Sequence, residues 1–203
     1  MISCLLLTST LNWHTTTSMP VHNHLSTDKF LKCSPLFRSL LTNISGLVIK
    51  SEIMCYGIPS SNANVSSTAE TAQACAPNMQ QSLTCMAQRN TSFNESGCVM
   101  SIMKDVTYYD ALIQSYLKLD HRSAEEEKLL NSTLKIIHNL KTCFTEERGN
   151  RGLNSAWEDV PHMWERDSFK DRHAMCAIMR GFQIRAVTIN RAIGYISSGD
   201  HLK

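Results

Sequence analysis

The chain has 203 residues, of which 42% are hydrophobic, and a formal net charge of +2 at pH 7. This is enough apolar material for one domain with a single large core. Acidic and basic residues are interspersed without a basic block, which argues against a nucleic-acid partner. No stretch approaches the roughly 20 apolar residues that span a bilayer, so we expect no membrane insertion.

Eight cysteines are many for a chain of this length, and none forms a C-x-x-C pair or a Cys/His cluster at zinc spacing. Disulfide bonds are therefore the better interpretation. Asn-x-Ser/Thr sequons occur at about twice the frequency that composition alone would give. The five sequons begin at Asn43, Asn64, Asn90, Asn94 and Asn131. Both features indicate the secretory pathway, so we expect a secreted, extracellular glycoprotein.

The N-terminus carries a short apolar run, Ile2 to Leu7. We interpret residues 1–18 as a signal peptide and residues 19–203 as one domain. Removal of that segment takes Cys4 with it and leaves seven cysteines. An odd number in a secreted chain indicates either an unpaired thiol or a bond to another chain.

The first periodic segment predicts a helix from Ser34 to Ile53, termed helix A. Asn43 is placed on the face opposite its apolar stripe, where a glycan could sit. Residues 21–32 are polar, and we expect order to begin only late in them. Residues 60–84 lack a clear period and form a long connection, which we expect cysteines to hold by covalent bonds and not burial.

Three more helices are predicted from the periodicity. Helix B runs from about Gly97 to Leu119, helix C follows a capping box formed by Ser123 and Glu126, and helix D runs from Ser168 to Ile196. The link from B to C is short, which makes these helices antiparallel neighbours. The links from A to B and from C to D can each run the length of a bundle. We therefore predict an all-α, up-up-down-down long-chain four-helix bundle with two long crossover loops.

This topology constrains the disulfides. Helix A ends where helix D begins, so we expect Cys55 and Cys176 to lie within the roughly 4.4 to 6.8 Å Cα separation of a disulfide. Cys33, Cys98 and Cys143 fall at the opposite end of the bundle. That placement allows Cys33 to pair with Cys143, and Cys75 with Cys98.

Helix D carries two distinct patterns. Its apolar residues recur at steps of three and four and form one stripe, made of Met175, Met179, Phe182, Ala186, Ile189, Ile193 and Ile196. Off that stripe lies a set of long polar and aromatic side chains, made of Gln183, Arg185, Thr188, Arg191 and Tyr195. This second set is either an ordinary solvated face or a surface that a partner covers.

The run GFQIRAVTINRAIGYIS within helix D resembles the last helix of the interleukin-12 alpha subunit family, with its I-R-A-V-T-I-x-R pattern followed by a Tyr. The stretches LTCMAQRNTSF and CVMSIMKDVTYYDAL also resemble that family. The resemblance implies a secreted cytokine alpha chain without enzyme activity or cofactor. It further implies a disulfide-linked heterodimer with a soluble, receptor-like, interleukin-12 beta-like chain, which binds and activates cytokine receptors on lymphocytes.

The resemblance also implies roles for single residues. Arg191 corresponds to an arginine that enters a pocket of the beta chain and meets an acidic residue there. It is flanked by the other four members of the polar set of helix D. Cys85 matches the intersubunit cysteine of the family. Phe169 resembles a receptor-contacting aromatic residue at the tip of the bundle, and the alternative is that it packs on Trp157 or Trp164.

Two other functional classes are less consistent with the sequence. Catalysis is disfavoured because the histidines lie without acidic or cysteine partners at ligand spacing, and no Gly-rich phosphate loop, G-x-S-x-G or H-E-x-x-H motif is present. We therefore predict no catalytic residue and no metal site. A monomeric secreted helical hormone that acts without a partner chain is the remaining alternative, and the odd cysteine count argues against it.

Overall fold

The computed structural model describes residues 24–49, 54–55, 57–58, 70–76, 93–145 and 163–199. Within these ranges all regular structure is helical. The helices are α1 (His24–Ile49), α2 (Glu70–Ala74), α3 (Glu95–Tyr116), α4 (Ala124–Thr145) and α5 (Ser168–Ser197). Helices α1, α3, α4 and α5 correspond to the predicted helices A to D, so the predicted all-α class is confirmed.

Contacts between the long helices give their directions. The first half of α1 meets the end of α4 at Cys33 and Cys143, and the chain beyond the end of α1 meets the first part of α5 at Cys55 and Cys176. Helix α1 is therefore antiparallel to both α4 and α5. Helix α3 is also antiparallel to α5, because Phe93 contacts Tyr195 at one end and Tyr109 contacts Phe182 nearer the other. It is antiparallel to α4 as well, through a short turn, which gives the predicted up-up-down-down order.

The core lies between the four long helices. All seven members of the predicted apolar stripe of α5 are buried. The rings of Tyr109 on α3 and Phe182 on α5 are stacked with their centroids 4.0 Å apart. Stacked rings and aliphatic side chains at this spacing remove a large apolar area from water, which is the main stabilising contribution in such a bundle.

The start of α4 is a capping box, as predicted. The Ser123 N–H donates to Glu126 Oε2 at 2.8 Å, and the Glu126 N–H donates to Ser123 Oγ at 3.1 Å. Each side chain therefore satisfies a backbone donor that lacks a partner within the helix. Helix α5 is capped by Asp167, whose Oδ1 accepts the N–H groups of Phe169 and Lys170 at 3.0 Å.

Helix α1 begins ten residues before the predicted start, at His24, and contains Pro35. The prediction was wrong because a polar stretch followed by a proline is typical of a helix start. Pro35 has no N–H for the Leu31 carbonyl, and that carbonyl instead accepts the Ser34 hydroxyl at 3.3 Å. A local hydroxyl thus compensates for the missing backbone donor inside the helix.

The short helix α2 lies in the connection where no helix was predicted. Its Thr71 side chain is fully buried and donates a hydrogen bond to the Asp105 carboxylate of α3. The Cys75–Cys98 bond directly after α2 confirms the expected covalent link, but the expectation that burial does not hold this segment is wrong for α2. A buried hydroxyl bonded to a buried carboxylate leaves no apolar pattern in the sequence, which is why periodicity missed it.

Three disulfides occur among the described residues. The Cα separations are 6.1 Å for Cys33–Cys143, 5.3 Å for Cys55–Cys176 and 4.5 Å for Cys75–Cys98. The Cys55–Cys176 bond is the one expected from the helix order, and the other two are pairs that this order allowed. All six described cysteines are therefore paired, whereas Cys4 and Cys85 lie outside the described residues.

Candidate partner-binding surface

One face of α5 remains uncovered by the bundle. We call it the exposed stripe and define it by Ile184, Thr188, Arg191 and Tyr195, which follow one another at steps of four, three and four residues. The side chain of Ile184 is 51% exposed, Arg191 is exposed, and Thr188 and Tyr195 are half-buried. These residues form a continuous ridge along the outer side of the second half of α5.

Arg191 lies at the centre of the exposed stripe. Among the described residues it takes part in no ion pair. The Thr188 hydroxyl one turn before it donates to the Ile184 carbonyl of its own helix at 3.4 Å. Because Arg191 is exposed and has no ion-pair partner among the described residues, its guanidinium is a solvated, uncompensated positive charge. It is available to bind an acidic group of another molecule.

Tyr195 is fixed at the edge of this surface by α3. Its ring meets Phe93 edge to face, with centroids 5.3 Å apart. Phe93 directly precedes Asn94, the cap of α3, so the start of α3 supports the end of the exposed stripe. An aromatic side chain that is already packed in place loses little conformational entropy when a partner covers it.

Gln183 belongs to a different face of α5. Its amide donates to Ser45 Oγ of α1 at 3.2 Å, and the residue is half-buried. The structure therefore places Gln183 at the contact between α1 and α5, beside the exposed stripe and not on it.

Arg185 does not lie on the surface, so the prediction that it belongs to the partner-binding set is wrong. Its side chain is 3% exposed, and its Nε is 3.1 Å from Oδ2 of Asp105 on α3. The same carboxylate accepts the Thr71 hydroxyl of α2. Position 185 faces α3 across the bundle, and the buried carboxylate there compensates the guanidinium charge.

Tyr109 completes this buried polar cluster. Burial raises the pKa of its phenol above the usual range, against the opposing effect of the Arg185 charge. The phenol therefore stays neutral at any physiological pH. The cluster thus contains one cation and one anion in the core, joining α2, α3 and α5.

Phe169 lies in the first turn of α5 and is 61% exposed. Its ring is 6.4 Å from that of His173, one turn further along the helix. Trp164, one of the two expected packing partners, instead contacts Tyr116 at 5.3 Å and donates its indole N–H to Ser115 Oγ. Trp157, the other expected partner, lies outside the described residues.

The backbone hydrogen bond from Lys170, followed by that from Phe169, lowers the pKa of the Asp167 carboxyl. This carboxylate is fully exposed and stays ionised at neutral pH. It fixes the first turn of α5, and so it holds Phe169 in place at the tip of the bundle.

The remaining predicted site residues are distributed as follows. Cys85, Asn64, Asn90 and residues 1–18 lie outside the described residues. Asn94 and Asn131 are exposed. Asn43 is half-buried against α4, so its predicted position on the face away from the bundle contacts is wrong.

Two surface residues were missed at the sequence level. Ile184 lies four residues before Thr188 and seven before Arg191. This helical spacing places it on the same face of α5 as those two residues, so the sequence could have predicted its exposure. Phe93 lies before α3, and only the folded structure shows that it contacts Tyr195. Both extend the candidate surface with apolar area.

The described residues contain no group of three or more His, Cys, Asp or Glu side chains that could hold a metal ion. In the same part of the chain, no helix is both long and apolar enough to cross a lipid bilayer. What the structure does present is a rigid helical ridge with one central cation, an arrangement suited to binding another protein.

Four long helices in up-up-down-down order, with two long crossover connections, define the helical cytokine class. The sequence model described as "Interleukin-12 alpha subunit" matches residues 1–199. The chain belongs to the interleukin-12 alpha subunit family, which is a family of cytokine subunits.

Individual relatives agree with this assignment. The interleukin-12 subunit alpha of Sus scrofa is 30% identical over 149 residues, covering 63% of this chain and 62% of the relative. That of Marmota monax is 25% identical over 194 residues, covering 82% and 83%. That of Sigmodon hispidus is 27% identical over 117 residues, covering 56% and 51%. The chain therefore matches 51% to 62% of the length of the Sigmodon and Sus proteins.

Proposed function

We propose that this chain is the alpha subunit of a secreted cytokine. It pairs with a soluble, receptor-like beta chain of the interleukin-12 beta type, and the heterodimer binds and activates receptors on lymphocytes. Residues 1–18 serve as its signal peptide, and the chain acts as a ligand without cofactor or catalysis. The observation that carries the proposal is the exposed, uncompensated Arg191 at the centre of an ordered ridge on the last helix of a family member.

The exposed stripe has the composition of a binding hot spot. Arg and Tyr are enriched among residues that dominate binding energy, and such residues are usually surrounded by neighbours that exclude water. Ile184 on one side and the Phe93–Tyr195 pair on the other supply apolar surface around Arg191. The planar guanidinium can bind a carboxylate through two hydrogen bonds while its stem packs on aromatic side chains.

Arg191→Ala is expected to weaken pairing with the beta chain by about 2 to 5 kcal/mol, because it leaves the partner's acidic group desolvated and unpaired. The dissociation constant should be measured in a Cys85→Ser background, which removes the covalent link. Arg191→Lys should restore pairing only in part, since an ammonium cannot form the two-pronged bond.

Arg38→Ala is the matched control. Arg38 is also exposed, but it lies on α1 at the groove between α1 and α4. The Arg38→Ala variant should bind the beta chain with the same dissociation constant as the unmodified chain. If Arg191→Ala pairs as tightly as this control, the exposed stripe is an ordinary solvated face. If the chain is secreted and signals without any beta chain, it is instead a monomeric hormone.

Cys85→Ser is expected to abolish the disulfide-linked heterodimer on a non-reducing gel while noncovalent pairing persists. The support is that all six described cysteines are paired with one another, Cys143 with Cys33 among them. After signal cleavage, Cys85 is the one cysteine left without an intrachain partner. A covalent heterodimer that survives the substitution would contradict this assignment.

Phe169→Ala is expected to weaken receptor activation by about 30-fold or more in half-maximal concentration, which corresponds to the roughly 2 kcal/mol of a hot-spot residue. Secretion and pairing should be unchanged, because the ring is mostly exposed. Met100→Ala, which removes an exposed apolar side chain from α3, should signal normally. A loss of secretion for Phe169→Ala would show that the ring has a packing role.

A further inference from the structure

Three of the five sequons lie in the part of the chain that the structure describes, and their asparagines have different surroundings. We infer that Asn94 and Asn131 carry N-linked glycans, whereas Asn43 remains unmodified in the secreted protein and acts as a clamp between α1 and α4. This inference rests on the proposed secretion, since the glycan is added in the secretory pathway.

Asn43 uses both polar atoms of its amide in contacts with α4. Its Nδ2 donates to Ser132 Oγ at 3.1 Å, and its Oδ1 accepts the Thr133 hydroxyl at 2.6 Å. An N-linked sugar is attached to Nδ2, the atom that faces Ser132. A glycan at Asn43 would therefore have to emerge beside the contact between two packed helices.

The bond to Thr133 adds to the cost of modification. Thr133 is fully buried, and its hydroxyl has a single hydrogen to donate. If the Asn43 amide turned outward to carry a sugar, that hydroxyl would be left with the Leu129 carbonyl of its own helix at 3.4 Å. A groove lined by Pro35 and Ile136 adjoins Asn43, so space alone does not exclude the sugar. A sugar replaces one of the two Nδ2 hydrogens, so modification competes directly with the bond to Ser132, and an amide that turned outward would also lose the bond to Thr133.

Asn94 provides the opposite arrangement. Only its Oδ1 is engaged, accepting the Gly97 N–H at 2.9 Å and the Ser96 hydroxyl at 3.3 Å. Its Nδ2 lies 2.7 Å from where a Cβ at position 97 would be, so glycine there leaves room for the amide. Because capping uses the oxygen alone, a glycan on the nitrogen leaves the start of α3 intact.

Asn131 lies midway along α4 on its exposed face. Its side chain makes no hydrogen bond to another residue in the described part of the chain. The neighbouring Ser132 and Thr133 complete its sequon and also bond to Asn43. One tripeptide of α4 thus supplies both a glycan site facing solvent and the two partners that hold Asn43 inward.

The test is to express the chain with an interleukin-12 beta-type chain in mammalian cells, and to release N-glycans from the secreted protein enzymatically in ¹⁸O water. Release converts each glycosylated Asn to Asp with one ¹⁸O atom, which peptide mass spectrometry detects. We expect conversion at Asn94 and Asn131 and none at Asn43. Conversion at Asn43, or its absence at Asn94 or Asn131, would overturn the inference.

Two variants distinguish the role of Asn43 in bonding to α4 from its role as a glycosylation sequon. Ser45→Ala and Asn43→Ala each destroy the sequon, but Asn43→Ala alone removes the two bonds to α4, whereas Ser45→Ala removes one hydrogen bond from Gln183 of α5. Neither should change the glycan mass of the protein, and Asn43→Ala should lower the secreted yield several-fold relative to Ser45→Ala. Equal yields together with an equal loss of glycan mass would show that Asn43 is a glycan site. A chain retained in the cell would count against the proposed secretion, and its glycopeptides could still be mapped in the membrane fraction.

Discussion

Replacing Cys55 and Cys176 together by alanine is expected to lower the free energy of unfolding by about 5 kcal/mol, the value of the chain-entropy model for a loop of this length. The bond joins residues 121 positions apart and ties the segment beyond α1 to α5. Both cysteines are buried, so they are replaced by alanine and not by serine, whose hydroxyl would be a new buried polar group. Urea unfolding followed by circular dichroism under non-reducing conditions measures the change.

The Cys75–Cys98 bond is the internal control, because it closes only 23 residues. The same model gives a loss of about 3.4 kcal/mol for its removal. The order of the two effects is therefore the sharper test. A larger loss for the short loop would mean that native contacts around each bond, and not chain entropy, determine the stabilisation.

Arg185→Met is expected to destabilise the fold by about 3 to 5 kcal/mol, since it leaves the Asp105 carboxylate buried without its cation. Arg191→Met on the same helix is the control and should change stability by less than about 0.5 kcal/mol, as is usual at exposed positions. Thermal unfolding of the two variants side by side gives the comparison.

Removing the ion pair together with the Thr71 hydroxyl should restore much of the lost stability. The variant carries Arg185→Met, Asp105→Leu and Thr71→Val, because the Thr71 hydroxyl also bonds to that carboxylate. Replacement of a buried ion pair by packed apolar side chains is often neutral or stabilising. If Arg185→Met alone changes the free energy of unfolding by less than about 1 kcal/mol, the ion pair is not a structural element of the core.

The sequence predicted those features that depend on apolar periodicity and on chain length. The stripe from Met175 to Ile196 required a long helix with a core to face, and the lengths of the connections fixed the helix order. The disulfide between Cys55 and Cys176 follows from that order. Such features are predictable because burying apolar side chains at helical spacing has few geometric solutions.

Polar groups inside the bundle were the main source of error. A single sequence places Arg185 and Arg191 on the same polar side of the helix, since charged residues are almost never fully buried unless they are paired. The pairing of Arg185 with Asp105 depends on how α3 and α5 are packed, and no local pattern contains that information. Helix α2 and the contact of Asn43 with α4 were missed for the same reason.

The pattern of covalent ties has a consequence for where the molecule can open. Helix α1 is bonded at Cys33 and again, just beyond its last turn, at Cys55. Helix α5 is bonded only at Cys176, near its start, so residues 177–197 are held by noncovalent contacts alone. The end of α5 can therefore open locally without breaking a disulfide, as can the parts of α3 and α4 that lie away from their single bonds. The exposed stripe lies in the second half of α5. A bound beta chain would therefore hold the end of α5 against the bundle, as the Cys33 disulfide holds α1 against α4.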